Sequence, residues 1–233
     1  MLLEKWAMNN HLEIAVKEMV LLSKAVYYVT TNENKVKELQ EIISDTFNVD
    51  DIKIVMFNEN INEIQNNDIT EIVKDKLVKA FKVLHRPVIV EQAGLCIKDF
   101  GNLPNGLTSI FWDQLSDEKD KDQKIEQCEE KLLKYFKGQA VTAVSCIGYC
   151  DGKNLYCGIG KVDGKIVERD TTTKINTVFG WDGIFLPNGS TKTYADMNLE
   201  EKNRDSMRKK ALDELAKQVL VECIRNNGDE IEG

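Results

Sequence analysis

Prolines number three and histidines two in a chain of 233 residues, and both shortages narrow what the protein does. Without a proline run there is no stiff linker between domains. With two imidazoles, a histidine base is not the first mechanism to consider. His11 lies in a polar N-terminal patch and His85 precedes Arg86-Pro87, where solvation or capping accounts for it. The six cysteines are not spaced for zinc: only Cys146, Cys150 and Cys157 cluster, with no histidine nearby. They read as buried apolar thiols in a reducing compartment. No apolar run approaches the roughly 18–20 residues that a bilayer requires. The opening Met1-Leu-Leu-Glu-Lys-Trp6 breaks any signal-peptide core with charge, so a cytoplasmic protein with no membrane partner is expected. Basic residues are outnumbered, 31 against 39, for a formal net charge of −8. That average field repels polyanions, and no nucleic-acid partner is expected.

What is present is an alternation of helical and strand periods. Residues 2–22 set Leu3, Trp6, Ala7, Ile14, Met19 and Leu22 near one face, predicting an amphipathic opening helix. Val26–Thr30 is a β-type run ended by the polar loop Thr31-Asn-Glu-Asn34. A helix through Ile43 and a strand around Ile52–Phe57 follow. Ile69, Ile72, Val73, Leu77, Ala80, Phe81 and Leu84 have helical spacing over 69–84. Pro87 stops that helix, and Val88–Val90 reads as a buried strand with Glu91 at its carboxyl end. Asn102–Gly106 reads as loop, Ser116–Lys124 as a charged loose stretch and 125–137 as a helix. Ala140–Cys150 and Leu155–Val162 flank the hairpin signal Asp151-Gly152, and Asp163-Gly164 predicts a second turn into Lys165–Arg169. Residues 170–193 are loop-rich and 205–224 close as a helix. The pattern predicts an α/β fold with an antiparallel portion. It divides into an N-terminal helical extension at 1–24, one two-lobed unit over 25–226 and an acidic tail at 227–233.

Three regions carry groups suited to a nucleoside triphosphate. Thr30-Thr-Asn-Glu-Asn-Lys35 joins a strand to a helix, where hydroxyls, amides and backbone N–H groups cradle phosphate and Lys35 adds a cation. Plain helix capping by Thr31 or Asn32 explains the same residues. Glu63 and Glu91 come from separate elements, as carboxylates that hold a phosphate-bound Mg²⁺ do, although an acidic chain supplies such pairs freely. Phe179-Gly-Trp-Asp-Gly-Ile-Phe185 sets aromatic faces beside glycine, and Thr193-Tyr-Ala-Asp-Met197, Glu201-Lys-Asn203 and Ser206-Met-Arg208 follow. Such faces sandwich a base or pack a core, and both readings stand on the residues alone.

Taken in order, the Thr-Asn-Lys loop, Glu-Ile-Gln65, Val90-Glu-Gln-Ala-Gly-Leu95, Leu103-Pro104, Phe-Gly-Trp-Asp182 and Thr-Tyr-Ala-Asp-Met197 resemble the Ham1 family, the inosine triphosphate pyrophosphatases. Glu-Lys-Asn203 and Ser-Met-Arg-Lys-Lys-Ala-Leu212 extend the likeness, which spans about residues 25–222. The resemblance implies a long central mixed sheet, two lobes around a nucleotide cleft, a homodimer and Mg²⁺-dependent cleavage of ITP, dITP or XTP to the monophosphate and pyrophosphate. By position it implies phosphate binding by Thr31, Asn32, Asn34, Lys35 and Lys202. It implies metal binding by Glu63 and Glu91. Base binding falls to Phe179, Gly180, Trp181, Asp182, Ser206 and Arg208, with Arg208 reading the 6-keto oxygen.

The departures fall on chemistry. The family's water-activating aspartate is Gln92 here, and a neutral amide accepts no proton as a general base. A neighbouring hydroxyl position is Ala93, a lysine expected near Ser109 is missing, and the family's Ser-His-Arg is Ser206-Met-Arg208. These changes predict a chain that is not an enzyme: it binds dITP or ITP with little or no hydrolysis and no functional catalytic residue. Its role would be that of a nucleotide sensor. Degenerate chains of this kind resemble the nucleotide-sensing subunit of the Kongming antiphage system, which implies a Sir2-like, NAD-consuming effector as partner. The alternatives are an active Mg²⁺-dependent pyrophosphatase that uses another carboxylate, such as Glu91 or Asp182, and an empty scaffold.

Overall fold

The structure is a computed structural model that describes residues 25–47, 53–168 and 180–229, with backbone alone at 45–47 and 220–229. The predicted opening helix at 2–22, Phe179 and the end of the acidic tail lie outside the described residues. Within them the order is β1 (Ala25–Val29), α1 (Glu33–Phe47), β2 (Lys53–Phe57), α2 (Ile69–Leu84), β3 (Val88–Ile97), β4 (Leu103–Pro104) and α3 (Thr108–Asp113). It continues with α4 (Lys121–Phe136), β5 (Ala140–Cys150), β6 (Leu155–Ile166), β7 (Phe185–Pro187), α5 (Leu199–Asp205) and α6 (Met207–Asp229). Seven strands form one mixed sheet in the order β2-β1-β3-β5-β6-β7, with β4 added beside β3. β1 runs parallel to β2 and β3, whereas β3, β5, β6 and β7 alternate antiparallel.

Helices cover both faces of this sheet. On one, α1 and α6 bury Leu39, Ile42, Ile43, Leu212 and Leu215 against Val26, Tyr28, Ile89 and Ile147. On the other, α2 buries Val73, Leu77 and Ala80 against Val29, Val88, Val90 and Val144. Truncating any one of these large aliphatics to alanine costs about 2–5 kcal/mol. α2 starts at Asp68, whose carboxylate accepts from Thr70 N–H, and ends at His85, in the left-handed region at φ 50°. The capping reading of His85 therefore holds. Along α6 the backbone presses directly on β6: a Cβ on Gly158 or Gly160 would overlap the helix backbone at Ala211 or Met207. Only glycine permits that approach.

Three predicted boundaries need correction. β3 does not end at Glu91 but runs ten residues to Ile97, paired along its length with β5. Its parallel pairing with β1 stops at Tyr28↔Ile89, so Glu91 lies in mid-strand just where that neighbour has run out. Asp163-Gly164 is no turn: β6 passes straight through it, and Gly164 is small because β7 lies against it, with Leu186 O and the Phe185 ring where a side chain would go. The charged stretch at 116–124 is ordered at its end, since Asp120 caps α4 by accepting from Asp122 and Gln123 N–H. The predicted hairpin does form, with four residues between Cys150 and its partner Leu155. No helix among the described residues is long and apolar enough to cross a membrane.

Candidate functional site

Alternation along β3 decides the site. Successive side chains of a strand point to opposite faces. Ile89 and Leu95 lie in the clusters that contain α1 and α6 residues, and Val88 and Val90 lie under α2. Glu91 accordingly faces α6 and Gln92 faces α2, although they are adjacent in sequence.

On the α2 face, Lys76 occupies one position of the helix's buried stripe, between Val73 and Leu77. Its Nζ donates to Glu63 Oε1 at 2.7 Å, to Gln92 Oε1 at 3.2 Å and to the Glu91 carbonyl at 3.2 Å. Glu63 keeps about a third of its side chain exposed. This ammonium joins the predicted metal carboxylate to the residue that replaces the predicted base. The sequence reading missed Lys76, yet a lysine at a buried position of an otherwise apolar helix stripe is a signal in itself.

On the opposite face Glu91 is fully buried and both its oxygens are engaged. Oε1 accepts from Ser145 Oγ at 2.8 Å, Oε2 accepts from the Tyr28 hydroxyl, and Arg208 Nε lies 3.1 Å from each oxygen. Arg208 Nη2 adds a contact of 3.0 Å to Oε1, and Nη1 pairs with Glu38, a residue that the sequence reading also missed. Glu38 in turn accepts from Lys202 at 3.0 Å, and Lys202 donates to Asp182 at 2.6 Å while lying over the Tyr194 ring. Burial raises the Asp182 carboxyl above its usual range, partly offset by Lys202. Burial likewise pushes the Tyr28 hydroxyl well up and the Arg208 guanidinium down.

Between these halves opens a cleft of about 740 Å³. Its walls include the β1–α1 loop and the first turn of α1, from Thr30 to Lys35, then Glu63, Lys76, Glu91, Gln92, Ala93, Ser109, Trp112, Gly180 and Trp181. In the loop, Thr30 Oγ1 accepts from Asn32 N–H at 3.1 Å and Asn32 Oδ1 from Asn34 N–H at 2.9 Å, turns that fix the start of α1. Lys35 stands 3.9 Å from Glu91, and burial lowers its ammonium's pKa. Of the residues singled out in the sequence, Thr31, Asn32, Asn34, Lys35, Glu63, Glu91, Gly180 and Trp181 line this one cleft. Asp182, Lys202, Ser206 and Arg208 do not line it; they are buried together beside it. α4 adds Lys121 and Lys124, the latter 2.8 Å from Asp113, opposite a Ser109 that also lines the cleft. Nothing in their sequence context marks these two lysines out.

A divalent ion needs hard oxygen donors, which a phosphate-bound Mg²⁺ takes from one or two carboxylates together with the phosphates themselves. No cluster of three His, Cys, Asp or Glu side chains suited to a metal occurs among the described residues. Glu63, with one oxygen on Lys76 and part of its surface exposed, fits the single-carboxylate arrangement. Glu91, with both oxygens held by protein donors, does not. Among the described residues, the cleft wall carries four lysines against five carboxylates. A triphosphate entering it requires added positive charge, and a divalent ion would supply that.

Comparison with known proteins agrees with this geometry. The sequence profile of the Ham1 family matches residues 26–218. An inosine triphosphate pyrophosphatase of Puccinia graminis is 33% identical, with 81% of this chain and 93% of the relative aligned. A dITP/XTP pyrophosphatase of Saccharolobus solfataricus is also 33% identical, over 81% of this chain and 90% of its own. A HAM1 protein from Coxiella burnetii shares the fold at a TM-score of 0.65 and 22% identity, covering 85% of this chain and 98% of that one. The relatives overturn the expectation of a non-enzyme, because chains a third identical over nearly their full length are named as pyrophosphatases. The physical reason is one of degree. Removing a general base lowers a rate by about 10²–10⁴ and leaves the binding and electrostatic contributions in place.

Proposed function

Because the chain belongs to the Ham1 family, we propose that it is a nucleoside triphosphate pyrophosphatase acting on inosine- or xanthosine-type purine nucleotides, splitting the α,β-phosphoanhydride to give the monophosphate and pyrophosphate. The observation that carries this reading is the convergence of the Thr30–Lys35 loop, Glu63 with Lys76, and Gly180-Trp181 on one cleft. Lys35 and the loop N–H groups bind the phosphate chain, with the start of α1 favouring negative charge. Lys76, held by Glu63 and Gln92, orients the middle of that chain. Trp181 offers an aromatic wall to the purine. Arg208 is buried beside the cleft and does not line it, so it takes part only where the purine's 6-position reaches into that cluster; there a 6-keto acceptor suits its N–H donors and a 6-amino donor does not. Mg²⁺, when bound through Glu63 and the phosphates, supplies charge neutralisation and polarises the phosphoryl oxygens. Gln92, an amide whose oxygen accepts from Lys76, orients water without removing its proton, so the chemical step is slow for this family.

Pyrophosphate release from dITP, ITP, XTP and dATP in the presence of Mg²⁺ tests the proposal. Turnover of the first three above dATP is expected. Equal turnover of dATP, or none of any, would remove it.

Slow turnover favours a second role for the same site. A complex that outlives the encounter is able to bias an assembly or conformational equilibrium, so the nucleotide would serve as a signal to a Sir2-like effector, with the chain acting as a homodimer. NAD loss on adding dITP but not dATP to the reconstituted pair is the expected result, and an effector indifferent to dITP would end this role.

A further inference from the structure

The reading of the cleft leaves Glu91 without the task its sequence position implied. We propose that Glu91 is a positioning residue: its carboxylate fixes Arg208 and Lys35 at the junction of the cleft and the buried ion cluster, and a divalent ion in the cleft is held by Glu63 without it. This inference rests on the pyrophosphatase reading and assigns a role within that site.

Three observations carry it. First, the strand alternation sends Glu91 toward α6, and Gln92 toward α2 where Lys76 and Glu63 lie, so the two neighbours do not converge on one ion. Second, Glu91 has no oxygen to offer, since Tyr28, Ser145 and Arg208 occupy both, and its side chain is wholly buried. Third, the groups it holds face two ways. Arg208 opens α6 and pairs with Glu38, which joins it to the Lys202–Asp182 pair, while Lys35 lies 3.9 Å off in the first turn of α1. One carboxylate therefore couples the placement of Lys35, on the cleft wall, to that of Arg208 in the buried cluster.

The test uses full-length protein, Mn²⁺ as the metal and the α,β-methylene analogue of dITP, which is not cleaved. Mn²⁺ affinity at saturating analogue is read by electron paramagnetic resonance, and analogue affinity by calorimetry. Glu63→Gln is expected to weaken Mn²⁺ binding about tenfold or more, the scale of a lost or disturbed ligand. Glu91→Gln is expected to leave Mn²⁺ affinity within about twofold while weakening the analogue about tenfold, as removing a charge-assisted contact does. Tyr28→Phe and Ser145→Ala release the carboxylate without altering its charge, and they carry the test if Glu91→Gln does not fold. Each is expected to weaken the analogue several-fold with Mn²⁺ affinity unchanged. A loss of Mn²⁺ binding in Glu91→Gln, or in both of the other variants, equal to that in Glu63→Gln would overturn the inference alone. So would unchanged analogue affinity in all three. A wild-type protein that binds neither probe overturns the pyrophosphatase reading, and this inference with it.

Discussion

The two sides of β3 use the same residue types for opposite ends. Toward α2, the buried Lys76 and Gln92 meet a partly exposed Glu63, with a single ion pair and a neutral acceptor. Toward α6, Arg208, Lys202, Glu38, Glu91 and Asp182 are all nearly inaccessible and pair with one another. A charge near water is replaceable, since solvent compensates for its loss. A charge inside a closed network is not, because its partner is left buried and unpaired. The difference teaches which charges can be exchanged at small cost to the fold and which leave a buried partner unpaired when they are removed.

Substitutions that exchange these behaviours offer ways to break the contrast. Gln92→Asp is expected to raise the rate constant for pyrophosphate release by about 10²–10⁴ with little change in melting temperature. No gain in rate would place the missing base elsewhere. Lys202→Met removes one member of the closed cluster, and a loss of about 3–5 kcal/mol in denaturant unfolding is expected, since Glu38 and Asp182 lose their shared cation. A loss below about 1 kcal/mol would make the cluster no different from a surface pair. On the cleft side, Lys121→Ala with Lys124→Ala is expected to raise KM for dITP several-fold and leave kcat and unfolding nearly unchanged, as partly exposed charge contacts do. An unchanged KM would remove α4 from the phosphate site.

The smallest effect is a pH dependence. The folded-state pKa of Asp182 is raised above the ordinary 3.8, first by burial. A carboxyl raised on folding contributes stability that is fully present below its unfolded value and is lost as pH rises through the folded value. The stability of the wild type minus that of Asp182→Asn should therefore fall as pH increases across the carboxylate range. A difference that grows with pH would mean that Lys202 outweighs burial.

Much of the cleft was legible because its signals are local. A Thr-Asn-Lys turn after a β run, an aromatic beside glycine, and Glu63 ahead of a helix stripe are all short-range patterns. The buried cluster was half legible: Lys202, Asp182 and Arg208 were picked out by motif, but Glu38 meets them from α1, and its partner Lys202 on α5 is 164 residues away in sequence. Lys76 escaped because apolar spacing was counted and the charged residue within it was passed over. Glu91 was given the wrong surroundings because the strand was ended too early. Extended to Ile97, its alternation alone separates residues 91 and 92. Asp163-Gly164 misled for the reverse reason, since glycine's smallness against β7 looks the same in sequence as glycine's freedom in a turn.

The bare seam at Gly158 and Gly160 has one more bearing. Met207 meets the strand there, so the guanidinium of the next residue inherits its placement from a contact made by backbone alone. Adding one methyl at residue 160 would tilt the last helix outward and carry Arg208 off its acids, disturbing the buried ion cluster from a position that does not itself line the cleft.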